Sequence, residues 1–205
     1  MIPDANVLLE MSERIRKCCE IDPDLYAKYE VKRGLRDISG RGVLVGLTDI
    51  SDVHAYIIDE GDYVPSEGKL YYRGFDVMDL VRGFQSGGYF GFEETTYLLL
   101  FGHLPNPSEL KWFTELVDGF RPLPDDFVRD LILKAPSRDM MNLLARSVLA
   151  LYSYDDNADD ISLPNVLRQS LELIARFPSV ALYGYQAFVH YHNKESLHIH
   201  PPLAG

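Results

Sequence analysis

Leu70-Tyr71-Tyr72-Arg73-Gly74-Phe75-Asp76-Val77-Met78-Asp79-Leu80 carries the chain from an extended run into a helical one across a single glycine. Leu70, Tyr71 and Tyr72 have the aromatic character that favours a short strand. Phe75, Val77, Met78 and Val81 recur at the spacing that places apolar groups on one helical face. Asp76 suits the first helical turn, where its carboxylate meets unpaired N–H groups and the positive end of the helix dipole. The residues before this stretch read as an entry arm and those after it as helices.

On the N-terminal side, Val7, Leu8, Met11, Ile15, Cys18 and Cys19 fall at steps of three and four, which predicts an amphipathic helix over 4–19 with Asp4 as its N-cap. Pro23 ends that helix or begins a new turn, and Arg33 to Gly42, with three glycines, reads as a loop or arm. Val43 to Thr48 and Val53 to Ile58 are β-branched and aromatic enough for strands, separated by turn chemistry at Asp49 to Asp52. With a loop over 59–68 and the strand at Leu70 to Tyr72, the expectation is a small sheet of two or three strands in an otherwise helical protein.

On the C-terminal side, Phe92 to Phe101 reads as a buried helix, with Glu93 and Glu94 in its first turn, Gly102 where it stops and Pro105 beyond. Asn106 or Pro107 opens the next helix, whose apolar face is Leu110, Trp112, Phe113, Leu116 and Val117. Asp125 to Lys134 forms a short helix. Another runs from about Ser137 to Tyr152 with Met140, Met141, Leu144, Val148 and Leu151 inward. A long periodic segment from Leu163 to about Tyr191 is broken by Pro178, which removes a backbone donor and is expected to kink or divide the helix.

Composition narrows the function classes. With 205 residues and 46% hydrophobic content, the chain can bury a core without a disulfide or metal staple. A net charge of -11 argues against nucleic acid, whose binding rests on clustered Lys and Arg. The two cysteines, Cys18 and Cys19, are neighbours, and a bridge between them would strain disulfide geometry, so reduced thiols and a cytoplasmic setting fit. No run reaches the roughly 18 apolar residues of a membrane span, and the N-terminus lacks a basic leader pattern.

Few residues invite a chemical reading. Gly87-Gly88-Tyr89-Phe90-Gly91 lacks the Gly-Lys-Ser/Thr ending of a phosphate-binding loop. Asp155-Asp156-Asn157-Ala158-Asp159-Asp160 lacks the sixth-position Gly and twelfth-position Glu of a calcium loop, where Asp160 and Val166 stand, and reads as a solvated loop. His198 and His200, with His190 and His192 nearby, make too thin a ligand set for a metal, so no metal site is assigned. Arg73 at the strand-to-helix turn reads as paired with a nearby carboxylate rather than as a substrate contact. His54 and His103 receive no catalytic role, and no hydrolase elbow, zinc-protease pair or Cys-x-x-Cys pair occurs.

Taken in order, several blocks together resemble the N-terminal part of a citrate synthase: Val43 to Thr48, Gly68 to Val77, Phe92 to Pro105, and Glu109-Leu110. The resemblance continues weakly through Met140 to Asp155, where the family usually has His-Pro-Met and this chain has Arg138-Asp139-Met140. It returns more clearly through Leu173-Ile174-Ala175-Arg176-Phe177-Pro178-Ser179-Val180-Ala181. It covers roughly Gly42 to Gly205.

The resemblance implies a mainly α, multi-helical, partial large domain with a small β-hairpin or sheet near residues 43–72. With the residue reading of the N-terminus, the expectation is a single partial domain over 1–205: an N-terminal helix and arm at 1–42, a β insertion at 43–73 and a helical part at 74–205. It implies a homodimeric parent acyltransferase that condenses acetyl-CoA with oxaloacetate and water to give citrate and CoA in the tricarboxylic acid cycle, with no tightly bound cofactor. The family's catalytic histidines, aspartate and arginines correspond to positions after Gly205. No catalytic residue is therefore assigned, cofactor-binding residues stay unknown, and the chain alone is expected to be inactive. The ending at Ala204-Gly205 reads as a fragment, with a naturally short, non-catalytic partner of a full-length subunit as the alternative. Citrate and 2-methylcitrate synthase both remain open for the parent.

Overall fold

The structure is a computed structural model and describes residues 4–29, 31 and 45–199. Two compact units make up the chain: Glu13–Leu110 forms one, and the residues up to Ser12 together with those from Lys111 onward form the other.

In the Glu13–Leu110 unit the sheet has three antiparallel strands in the order β1-β2-β3: β1 Ser51–Asp59, β2 Asp62–Tyr72 and β3 Phe75–Asp76. Both connections are two-residue turns with positive φ at each position, Glu60 at 49° and Gly61 at 91°, then Arg73 at 48° and Gly74 at 84°. That geometry matches the right-handed twist of paired strands, and glycine supplies its second position without a Cβ clash. A register shift between His54 and Tyr56 lies opposite Lys69 and Pro65, and a strand proline, which cannot donate, sits best near such an irregularity.

Three expectations are corrected here. Residues 45–48 are irregular rather than a strand, and Val43 and Leu44, like the Arg33 to Gly42 arm, lie outside the described residues. The loop expected over 59–68 is mostly strand, because β2 pairs along β1 through backbone hydrogen bonds that its polar side chains do not advertise. Phe75 belongs to β3 and is exposed, as is Met78, so the helix beginning at Val77 buries Leu80 instead.

That helix, α3 (Val77–Gly87) once α1 (Ala5–Cys18) and α2 (Asp24–Lys28) are counted, starts on Asp76, whose carboxylate accepts from the Met78 N–H at 2.8 Å. It ends on Gly88 in the left-handed region. Helix α4 (Phe92–Phe101) buries Tyr97, Leu98 and Phe101 and stops at Gly102, φ 79°, whose N–H donates to the Leu98 carbonyl at 2.9 Å. Asp4 caps α1 as expected, accepting from the Asn6 N–H at 3.3 Å, while Leu8, Met11 and Ser12 are its buried positions.

Helix α5 (Pro107–Phe120) opens on a reciprocal cap: Asn106 Oδ1 accepts from the Ser108 and Glu109 N–H groups, and Glu109 Oε2 accepts from the Asn106 N–H. It buries Phe113, Val117 and Phe120, and Trp112 stays part-exposed.

The other unit's core is Phe127, Ile132, Leu143, Val180, Tyr183 and Ala187. They come from a π-wound segment (Val128–Leu133) and the residue before it, α6 (Met140–Leu151) and α7 (Leu163–Phe188). The expected helix over 125–134 thus takes a wider winding. A Cβ on Gly184 would fall 2.5 Å from Leu143 Cδ2, so glycine is what lets α7 meet α6 there. Met141, expected inward, is exposed and Leu143 takes the central place. Helix α7 runs through Pro178 without dividing. The ring lies on the exposed face, where water can serve the Ile174 carbonyl freed by the missing donor. The segment then widens into a π-turn at Val189–Asn193.

Candidate functional site

The densest polar site in the Glu13–Leu110 unit is built around Arg73, whose side chain is only 4% exposed. The positive φ of the β2–β3 turn throws this side chain back across the unit, while its own N–H donates to the Ile50 carbonyl at 2.8 Å. Nε and Nη2 both donate to the Leu99 carbonyl, at 3.2 and 3.0 Å. Nη1 donates to the Cys18 carbonyl at 3.2 Å and to Asp49 Oδ1 at 2.9 Å. Leu99 and Cys18 lie in the last turns of α4 and α1, so the guanidinium serves two helix C-termini, where carbonyls lack intrahelical donors and carry partial negative charge. Burial opposes the charge on Arg73, but its contacts with Cys19, Asp49 and Cys18 outweigh burial and raise its pKa further.

Two thiols complete this site. Nη2 reaches Cys19 Sγ at 3.3 Å and Cys18 Sγ at 3.7 Å. The Cys18 thiol lies 3.3 Å from both the Ile15 and Leu100 carbonyls, and it is held above the usual thiol range by burial and by Cys19, with Arg73 opposing. The expected reading of Arg73 as paired with a carboxylate is correct in Asp49, yet two backbone carbonyls and two sulfurs share the same cation. The Arg-Gly turn was the one sequence signal for it.

The other unit holds a second network beside a cavity of about 630 Å³ bounded by Phe120, Tyr152, Tyr154, Asp155, Gln169 and Leu173. Arg168 Nη2 donates to both Asp155 oxygens at 2.8 Å, and Nη1 donates to Glu172 Oε1 at 2.6 Å. Arg176 takes the other Glu172 oxygen at 2.8 Å and donates to the Phe120 and Pro122 carbonyls. Two guanidinium groups and two carboxylates thus neutralise one another. Asp155 is therefore no solvated loop acid, a correction to the reading of the acidic run.

Burial would raise the Asp155 carboxyl, but hydrogen bonds from Arg168, Gln169 and the Asn157 N–H override it and hold the group below the usual carboxylate range. A depressed folded value means stability that is fully present above the unfolded value near 3.9 and is lost as pH falls through the folded one. The urea midpoint read by Trp112 fluorescence is expected to fall as pH drops below about 5, and Asp155→Asn to flatten part of that slope. An identical slope in the variant would remove Asp155 from the acid response.

The histidines are dispersed. His54 Nε2 lies 2.7 Å from Asp52 Oδ2, on the surface. His103 sits within hydrogen-bond reach of the Phe101 carbonyl at 3.1 Å and edge-on to Tyr97. His190 Nδ1 is 2.8 Å from the Glu195 carbonyl, and the His192 ring lies against Phe188. His198 is exposed, and His200 lies outside the described residues. Among the described residues no three His, Cys, Asp or Glu side chains are placed to hold a metal, and no helix is long and apolar enough to cross a membrane.

This multi-helical fold with one small antiparallel sheet is that of citrate synthases. It aligns with the Pyrobaculum aerophilum citrate synthase at a TM-score of 0.57 and 25% identity, covering 77% of this chain and 40% of that one. The Thermotoga maritima enzyme aligns at 0.52, a likeness of fold at 22% identity. Residues 34–202 match the family described as citrate synthase, C-terminal domain, and the chain belongs to the citrate synthase family. Citrate synthase of Haloferax volcanii is 34% identical over 164 residues, 78% of this chain and 37% of that protein. The 2-methylcitrate synthase 1 of Corynebacterium glutamicum is 28% identical over 152 residues, 74% of this chain and 34% of that protein. The chain thus spans little more than a third of the length of these curated relatives.

Proposed function

We propose that these residues form a scaffold portion of a citrate synthase-type acyltransferase, one that joins acetyl-CoA to oxaloacetate and water to give citrate and CoA. In this reading the 205 residues do not perform the condensation alone. The observation that carries it is the match over 34–202 to a family whose Haloferax member is covered over only 37% of its length. A carbon acid as weak as an acetyl thioester needs a placed base, donors at the developing enolate oxygen and cations for the dicarboxylate, all in one water-excluded cleft. Here Arg73, Arg168 and Arg176 are spent on carbonyls and carboxylates of the chain itself. The working form is proposed to be a homodimer in the reducing cytoplasm, consistent with the free thiols at Cys18 and Cys19.

The expected result is no oxaloacetate-dependent thiol release from acetyl-CoA by the 205-residue chain, and release by an extended form bearing the family's histidine- and aspartate-containing segment. Turnover by the chain alone would overturn the proposal, and so would an inert extended form that is folded and dimeric, which would favour a non-catalytic partner role. The Corynebacterium relative keeps a 2-methylcitrate reading in view. Faster release from propionyl-CoA than from acetyl-CoA would select it.

A further inference from the structure

We propose that Cys18 and Cys19 form a vicinal-dithiol site that captures a trivalent thiophilic centre, of the organoarsenical class, across its two sulfurs. The two Sγ atoms stand 3.8 Å apart, with Arg73 Nη2 at 3.3 Å from one and 3.7 Å from the other. Cys19 is exposed and Cys18 is half-buried behind it, so a reagent meets Cys19 first and finds the second thiol within reach.

The spacing selects the chemistry. A direct sulfur–sulfur bond of about 2.05 Å would have to close between Cα atoms held about 3.8 Å apart by one trans peptide, below the roughly 4.4 Å at which disulfides begin. A single bridging atom avoids that constraint. Two bonds to one shared pyramidal centre hold their sulfurs well beyond disulfide distance, a few tenths of an ångström inside the 3.8 Å already present. Four-coordinate metals want further ligands, and none is placed here among the described residues. A three-coordinate centre carrying one organic group needs only these two.

The reaction balances without an oxidant. Two As–S bonds replace the arsenic–oxygen bonding of an arylarsenoxide, the two thiol protons leave with the oxygen as one water, and arsenic stays trivalent. The Arg73 guanidinium faces both sulfurs, Nη2 lying within reach of each. Asp49 and the Leu99 and Cys18 carbonyls fix that guanidinium in place, which keeps the pair from splaying.

The test uses phenylarsine oxide on the intact chain, read by mass spectrometry. Only these two cysteines occur in the sequence, so the stoichiometry is unambiguous. The expected product is one adduct per chain, with both free thiols lost. It should survive excess monothiol and be removed by a small dithiol. Cys18→Ser and Cys19→Ser, each checked for native circular dichroism, are expected to lose the adduct to monothiol at least tenfold more readily. Release of the wild-type adduct by monothiol, two arsenicals per chain, or single variants as resistant as the wild type would each overturn the proposal. The wild-type competition alone decides it should either variant fail to fold.

Discussion

Arg73→Ala is expected to destabilise the Glu13–Leu110 unit by about 2–5 kcal/mol, because it strands the Leu99 and Cys18 carbonyls and removes several charge-assisted hydrogen bonds at once. Asp49 contributes least to that loss, since it is half exposed and water replaces its partner. Arg73→Lys should recover only part, as a single ammonium cannot reach acceptors spread around a planar fork. Hydrogen exchange over residues 13–110 is the measurement, with faster exchange expected at the ends of α1 and α4. Unchanged exchange there would mean that the two helix ends are held by packing alone.

Phe127→Ala should cost about 3–5 kcal/mol, by lost transfer energy plus the cavity left behind. The ring is buried among Ile132, Leu143, Val180 and Tyr183, and meets Tyr154 edge-on at 5.8 Å. Trp112 is the one tryptophan and lies in the same unit, so its fluorescence reports this loss in urea. Phe127→Leu, which refills most of the volume, is expected to cost much less. Equal midpoints for the alanine variant and the wild type would contradict the assignment of Phe127 to the core.

The stops and starts of the helices were legible from local chemistry, because caps act within one turn. Asp4, Asp76, Gly102 and Asn106 each do in three dimensions what their residue types announce. The family was legible from the order of its blocks, and the match over 34–202 bears that out. The extent of the hairpin was not legible. β1 is exposed throughout and β2 over most of its length up to Lys69, so no alternation of apolar and polar residues marks them, and their strand character comes from pairing. Whether α7 continues through Pro178 was left open for a related reason: the ring lies on the exposed face, where water can serve the freed carbonyl, and exposure is a tertiary property.

By itself the sequence determined much of the helix punctuation, the acidic balance of the chain and the family. Tertiary structure alone decided which inward faces were used, Leu143 over Met141 and Leu80 over Met78, because neighbours from distant segments choose among apolar positions that periodicity leaves equivalent. It alone brought Arg73 to Cys18, Cys19, Asp49 and Leu99, and Arg168 to Asp155. A guanidinium has the same composition and local propensity whether it stands in water or in a ring of carbonyls. What it does is set by the acceptors that the fold, and not the neighbouring residues, delivers to it.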